Sequence, residues 1–128
     1  MRVIGHGIDL VEIGRIAEMA EKYGDRFVVR CFTQAEQDYA KSNPKRHDEH
    51  LAARFAAKEA ALKALGTGWR DGIKWTDIEV VRKPSGQPCL NVTGYAKLIA
   101  DKMSIIDWQV SLSHTDKHAM ASVMALGA

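Results

Sequence analysis

Apolar and polar residues alternate from Val3 to Val11, which predicts a strand. Ile4, His6, Ile8 and Leu10 fall on one side of it; Val3, Gly5, Gly7, Asp9 and Val11 fall on the other. Glycines weaken a strand and mark close approach by a ligand or by another backbone. They predict either an open floor beside Asp9 or a helix packed there, with Asp9 capping the next helix. From Ile13 to Tyr23 the spacing turns helical, with Ile13, Ile16, Ala17 and Ala20 on one side and Gly24 as the stop. Arg26 and Arg30 follow, flanking Phe27 and Val28, with no element assigned to them. Thr33-Gln-Ala-Glu36 is a capping box and starts a short helix that Asn43-Pro44 closes.

The longest helical pattern reaches Gly66 and is apolar most of the way round. Leu51, Phe55, Leu62 and Leu65 form one stripe, and Ala53, Ala56, Ala57, Ala60 and Ala64 form the opposite side. Such a helix is expected to be packed on most sides, yet it carries Arg54, Lys58, Glu59 and Lys63. Buried charges need partners. Two arrangements supply them: internal pairing, as between Glu59 and Lys63 at i,i+4, or an anionic ligand with a metal ion. Lys58 projects into the apolar stripe, so its stem packs there and its role differs from that of Lys63.

Trp69 to Gly72 reads as a turn-rich connection. Asp77–Arg82 and Pro88–Val92 alternate around Pro84-Ser-Gly86, which predicts a hairpin. Tyr95 to Met103 is amphipathic, with Thr93 as cap. Trp108, Val110 and Leu112 alternate with Gln109, Ser111 and Ser113, and Ala119–Leu126 is apolar throughout, as in a central strand. Ser113 to Lys117 joins them as a polar turn. The order predicts an α+β fold, an antiparallel sheet packed against a long central helix, in a single domain over residues 1–128.

Composition narrows the function. The net charge of +2 creates no strong field for nucleic acid or a membrane. No apolar run is long enough to cross a bilayer, and the N-terminus is too short and interrupted for a signal peptide. Cys31 and Cys89 lack C-x-x-C spacing and read as reduced thiols of a cytoplasmic protein. His47 and His50 have a spacing zinc could use, but without a cysteine companion they read as a solvated helix entrance. The phosphate-loop, dinucleotide and nucleophile-elbow motifs are absent, and basic residues are not interleaved with aromatics as in a single-strand nucleic-acid platform. Asp9, Glu59, Lys63 and the backbone amides of Gly66 and Gly68 remain. Together they fit Mg²⁺ bridging phosphate oxygens.

A series of motifs runs through nearly the whole chain in one order: Gly5-x-Gly-Ile-Asp9-Leu-Val-Glu-Ile-x-Arg15, Phe32-Thr-x-x-Glu36, Arg54-Phe-Ala-Ala-Lys-Glu59-Ala-x-x-Lys63-Ala-x-Gly-Thr-Gly68, Asp77-Ile-Glu-Val80, Gly86-x-Pro88 and Ser111-x-Ser-His114. The series resembles the small bacterial 4′-phosphopantetheinyl transferases, the holo-[acyl-carrier-protein] synthase family. That resemblance implies transfer of phosphopantetheine from coenzyme A to a serine of apo acyl carrier protein, with release of adenosine 3′,5′-bisphosphate. It implies Mg²⁺ on Asp9 and Glu59, and phosphate on Lys63. Arg46, Arg54 and His114 then fall near the 3′-phosphate and nucleotide, and Arg15 at the acidic carrier; Lys22, Arg26 and Arg30 are further cations for that docking, read from their charge. A homotrimer with the site between subunits is also implied. Two further readings stand beside this one: a coenzyme A or nucleotide-binding module without catalysis, which intact Asp9, Glu59 and Lys63 oppose, and a weakly basic RNA-associated protein, which lacks a motif.

Overall fold

The computed structural model describes residues 1–70 and 72–128; the part of the expected Trp69–Gly72 turn at Asp71 lies outside the described residues. Strand β1 (Arg2–Glu12) leads into helices α1 (Ile13–Tyr23), α2 (Asp25–Cys31) and α3 (Gln34–Lys41). A 3₁₀ turn at Pro44–Arg46 enters the long helix α4 (His47–Leu65). The chain then forms strands β2 (Ile78–Arg82) and β3 (Pro88–Val92), helix α5 (Gly94–Lys102), and strands β4 (Ile105–His114) and β5 (His118–Gly127). The helix at Asp25–Cys31 is an element the sequence pattern left unassigned.

The α+β expectation holds, with the strands divided into two antiparallel sheets. β5 lies between β1 and β4 in a three-stranded sheet, and β2 pairs only with β3. β5 is the central strand, and its inward residues Ala119, Ala121, Val123 and Ala125 are buried. They meet the alanines of α4, all of which are buried as well. Small side chains on both surfaces bring helix and sheet close together.

The glycines of β1 belong to this contact. A Cβ at Gly5 would lie 2.0 Å from the Ala64 carbonyl oxygen, and one at Gly7 1.9 Å from that of Ala60. Of the two expectations for these glycines, the packed helix holds and the open floor beside Asp9 does not; the backbone of α4 fills it. Asp9 is no helix cap either. It sits within β1, opposite Ala121, and the N-cap position of α1 is Glu12.

α4 is held by buried polar contacts at its far side. Lys58 is 0 % exposed and its Nζ donates to Glu36 Oε1 at 2.8 Å, to the Trp75 carbonyl at 3.1 Å, and to the Ile78 carbonyl. Glu36 also accepts from the amides of Thr33 and Val80. The expected capping box at Thr33–Glu36 is present, so one carboxylate both starts α3 and clamps α4 to β2.

Candidate active site

Asp9 and Glu59 come together where β1 crosses α4. Lys63 Nζ donates to the Ile8 carbonyl at 2.8 Å and to Asp9 Oδ1 at 3.2 Å. Its ion pair is therefore with β1 and not with Glu59 one turn earlier. Burial, and then the negative charge of Asp9, raise the Glu59 carboxyl above its ordinary value. Mutual repulsion of this kind is relieved by a cation, and hard carboxylate oxygens suit Mg²⁺. No cluster of three or more ligating side chains gathers among the described residues. A pair of carboxylates fits an ion that keeps waters and takes further oxygens from its substrate.

Glu59 borders a cavity of about 610 Å³. Phe27, Phe55, Trp69 and Trp75 form its apolar wall, while Arg15, Arg26 and Arg30 stand exposed at its rim. Lys22 is not among its lining residues; it lies 5.2 Å over the Tyr23 ring, on which Arg26 also rests at 5.8 Å. Among the described residues Arg15 forms no ion pair. Cys31 also lines this cavity, but burial pushes its thiol up to about 11, so it stays protonated and unreactive. Sequence reasoning missed the two tryptophans, because Trp69 lies in a stretch rich in turn residues and Trp75 precedes the first alternating strand position.

Gly66 takes the left-handed conformation expected after a helix, with φ 75°. Its amide, assigned to phosphate from the sequence, is instead committed to the carbonyls of Leu62 and Lys63, at 2.9 and 3.1 Å. It closes α4 and is not free to meet an anion. Gly68 is exposed, with φ 61° and open space around it.

Arg46 and His114 lie elsewhere. They line a second cavity of about 480 Å³ with Tyr39, His50, Arg82 and the Gln87–Pro88 end of the hairpin. Glu49 joins them, pairing with Arg46 and, at 3.3 Å, with His114. Arg54 is 1 % exposed and does not line this cavity. Its guanidinium stacks 4.2 Å over Tyr39 and donates to the His50 carbonyl at 3.3 Å, while its Nε has no partner. Arg54 thus lies behind the cavity wall, stacked on Tyr39. His50, expected at a solvated helix entrance, is buried against Tyr39. The two cavities share no lining residue, so a single chain keeps its carboxylate pair apart from its Arg46–His114 cluster.

Helix α4 laid across a small-residue sheet thus brings a carboxylate from each, and a lysine, to one junction. Residues 5–123 match the family model of the 4′-phosphopantetheinyl transferase superfamily, and the chain belongs to that family. Within it, the chain is 47% identical over 121 residues to the holo-[acyl-carrier-protein] synthase of Gloeobacter violaceus, covering 94% of this chain and 91% of that one. The crystal structure of holo-[acyl-carrier-protein] synthase from Neisseria meningitidis superposes with a TM-score of 0.87 at 30% identity, covering 98% of this chain and 99% of that one. The enzyme from Bacillus anthracis, solved in complex with coenzyme A (3′,5′-ADP), gives a TM-score of 0.79 at 34% identity, with 98% of each chain covered.

Proposed function

We propose that this chain transfers the 4′-phosphopantetheine group of coenzyme A to a serine of apo acyl carrier protein and releases adenosine 3′,5′-bisphosphate. The observation that carries the reading is the junction of β1 and α4, where Asp9, Glu59 and Lys63 meet in a chain of this family. Lys63 uses its ammonium on the Ile8 carbonyl and Asp9, which leaves one of its three donors for a phosphate oxygen. Negative charge that builds on the pyrophosphate is met there, and removing such a contact costs about 3–4 kcal/mol of barrier. Mg²⁺ held by Asp9 and Glu59 would supply further positive charge to the same oxygens. The serine proton has two acceptors open to it here, the Glu59 carboxylate or a water that the ion would hold.

The exposed arginines around the apolar cavity support a carrier-docking surface. Arg15, Arg26 and Arg30 surround the approach to Glu59, as an acidic partner requires. Lys22 stands beside Tyr23, outside that rim. The separate Arg46–His114 cavity suits the nucleotide end of coenzyme A, with Arg54 behind it.

That separation favours a homotrimer in which coenzyme A bridges two copies. The outer face of the three-stranded sheet supports an oligomer, because it leaves Ile8 50 % and Leu10 63 % exposed beside Val3 and Met124. A cytoplasmic location agrees with two free cysteines, and no helix among the described residues is long and apolar enough to cross a membrane.

Incubation with coenzyme A, Mg²⁺ and apo acyl carrier protein should add the phosphopantetheine mass to the carrier serine; no added mass rejects transfer in favour of a binding module. Asp9→Asn and Arg46→Ala chains, each inactive alone, should regain activity when refolded together. Failure of that mixture to recover would place both cavities' functions within one chain.

A further inference from the structure

The Arg46–His114 cavity contains a ring to which the transfer reaction assigns no task. His50 is 8 % exposed, and its ring stands edge-on to Tyr39 with centroids 4.9 Å apart. It borders the same space as Arg46, Arg82 and His114. Arg54 and Arg82 rest over the Tyr39 ring, at 4.2 and 5.6 Å. The charged and titratable groups around His50 are Tyr39 from α3, Arg46 from the turn before α4, Glu49 and Arg54 from α4, Arg82 from β2 and His114 from β4. Three guanidiniums thus face one carboxylate, and Glu49 is already shared by Arg46 and His114.

We propose that His50 is an anion-binding residue of this cavity that takes up one proton from solvent when a phosphate monoester dianion enters. The inference rests on the reading of this cavity as the nucleotide end of the coenzyme A site. With the cavity empty, burial first, and then the charges of Arg54 and Arg46, hold the imidazole below its ordinary range. The ring is then neutral, which spares the pocket another cation. A dianion reverses the local potential, and the protonated ring becomes a donor to it. A phosphodiester carries a single negative charge and gives the ring less reason to charge. His50 therefore favours a ligand with a terminal 3′-phosphate over one without it.

The test uses adenosine 3′,5′-bisphosphate and titration calorimetry in buffers of different ionisation heat, above pH 7. The ligand's own phosphate has a second pKa of about 6, so it remains a dianion there. Binding to the wild-type protein should take up a proton, and affinity should fall by up to about tenfold per pH unit in that range. His50→Phe keeps a ring against Tyr39 and leaves His114 in place; it should lose most of the uptake and flatten the pH dependence. Dephospho-coenzyme A should bind with little uptake to either protein. Independently of any variant, NMR titration of the His50 ring should show its pKa rising by about a unit or more when the bisphosphate is bound. Equal uptake in wild type and His50→Phe, or an unchanged ring pKa, overturns the inference alone. Failure of the bisphosphate to bind the wild-type protein overturns the cavity's assignment and the inference with it.

Discussion

The role proposed for Glu59 and its cost to the fold have the same source: a carboxylate half removed from water beside Asp9. Its folded pKa is raised, so the native state holds its proton more tightly than the unfolded chain does. Its contribution to stability is then favourable at low pH and is lost as pH rises through the raised value. Glu59→Gln should reduce transfer by about 10²–10³-fold yet leave Tm at pH 7 unchanged or slightly higher. Calorimetry without Mg²⁺ should show this gain shrinking toward pH 5; a lower Tm than wild type at pH 7 would make Glu59 a structural residue. Asp9, Glu59 and Lys63 could be singled out in the sequence because two carboxylates and a lysine on apolar elements need partners. The sequence did not reveal which carboxylate Lys63 pairs with, since i,i+4 spacing pointed to Glu59 while the strand supplied Asp9. His50 was misplaced because a histidine in a charged stretch looks solvated until Tyr39 is seen to cover it.

Lys58 shows how one charge organises several elements. It joins α4 to α3 through Glu36 and to the entry of β2 through the carbonyls of Trp75 and Ile78. Burial lowers its pKa, and Glu36 opposes that shift. Lys58→Met should cost about 3–5 kcal/mol, because it strands a fully buried carboxylate and leaves carbonyls without a donor. Chemical denaturation measures this loss, and adding Glu36→Gln should recover part of it; additive losses would show that the two residues act separately. The sequence placed Lys58 in the apolar stripe and gave it a packing role, but the partner lay 22 residues away on another helix. The helix at Asp25–Cys31 escaped notice for a related reason. It is seven residues long, and its buried Phe27 and Cys31 reveal a face only against α4 and the Trp75 turn.

At the scale of the molecule, two cavities each carry their own set of cations. Arg15, Arg26 and Arg30 surround the apolar cavity, while Arg46, Arg82 and His114 surround the polar one. Arg15→Ala should raise KM for the carrier protein and leave KM for coenzyme A nearly unchanged. Its rate at low carrier concentration should depend less steeply on salt than that of wild type, because an exposed rim charge acts mainly on encounter. Initial rates across a salt series check this; parallel slopes would remove Arg15 from the docking surface. The α+β class was readable from the order of the elements, and the central position of β5 from a run that is apolar throughout. The split into two sheets was not, because β2 and β3 alternate like any other hairpin and nothing in their pattern says which edge stays unpaired.

The glycine seam between β1 and α4 has a consequence for sequence variation. A methyl group at Gly7 would overlap the Ala60 carbonyl, one residue from Glu59, on the strand that carries Asp9. Gly7→Ala should destabilise the fold by about 3 kcal/mol or more and misalign both carboxylates. In a saturation library selected for carrier modification, Gly5 and Gly7 should tolerate as little as Asp9 and Glu59, as scored by variant enrichment. Lineages of this protein can therefore drift at exposed helix and loop positions, while the seam stays frozen through lack of room.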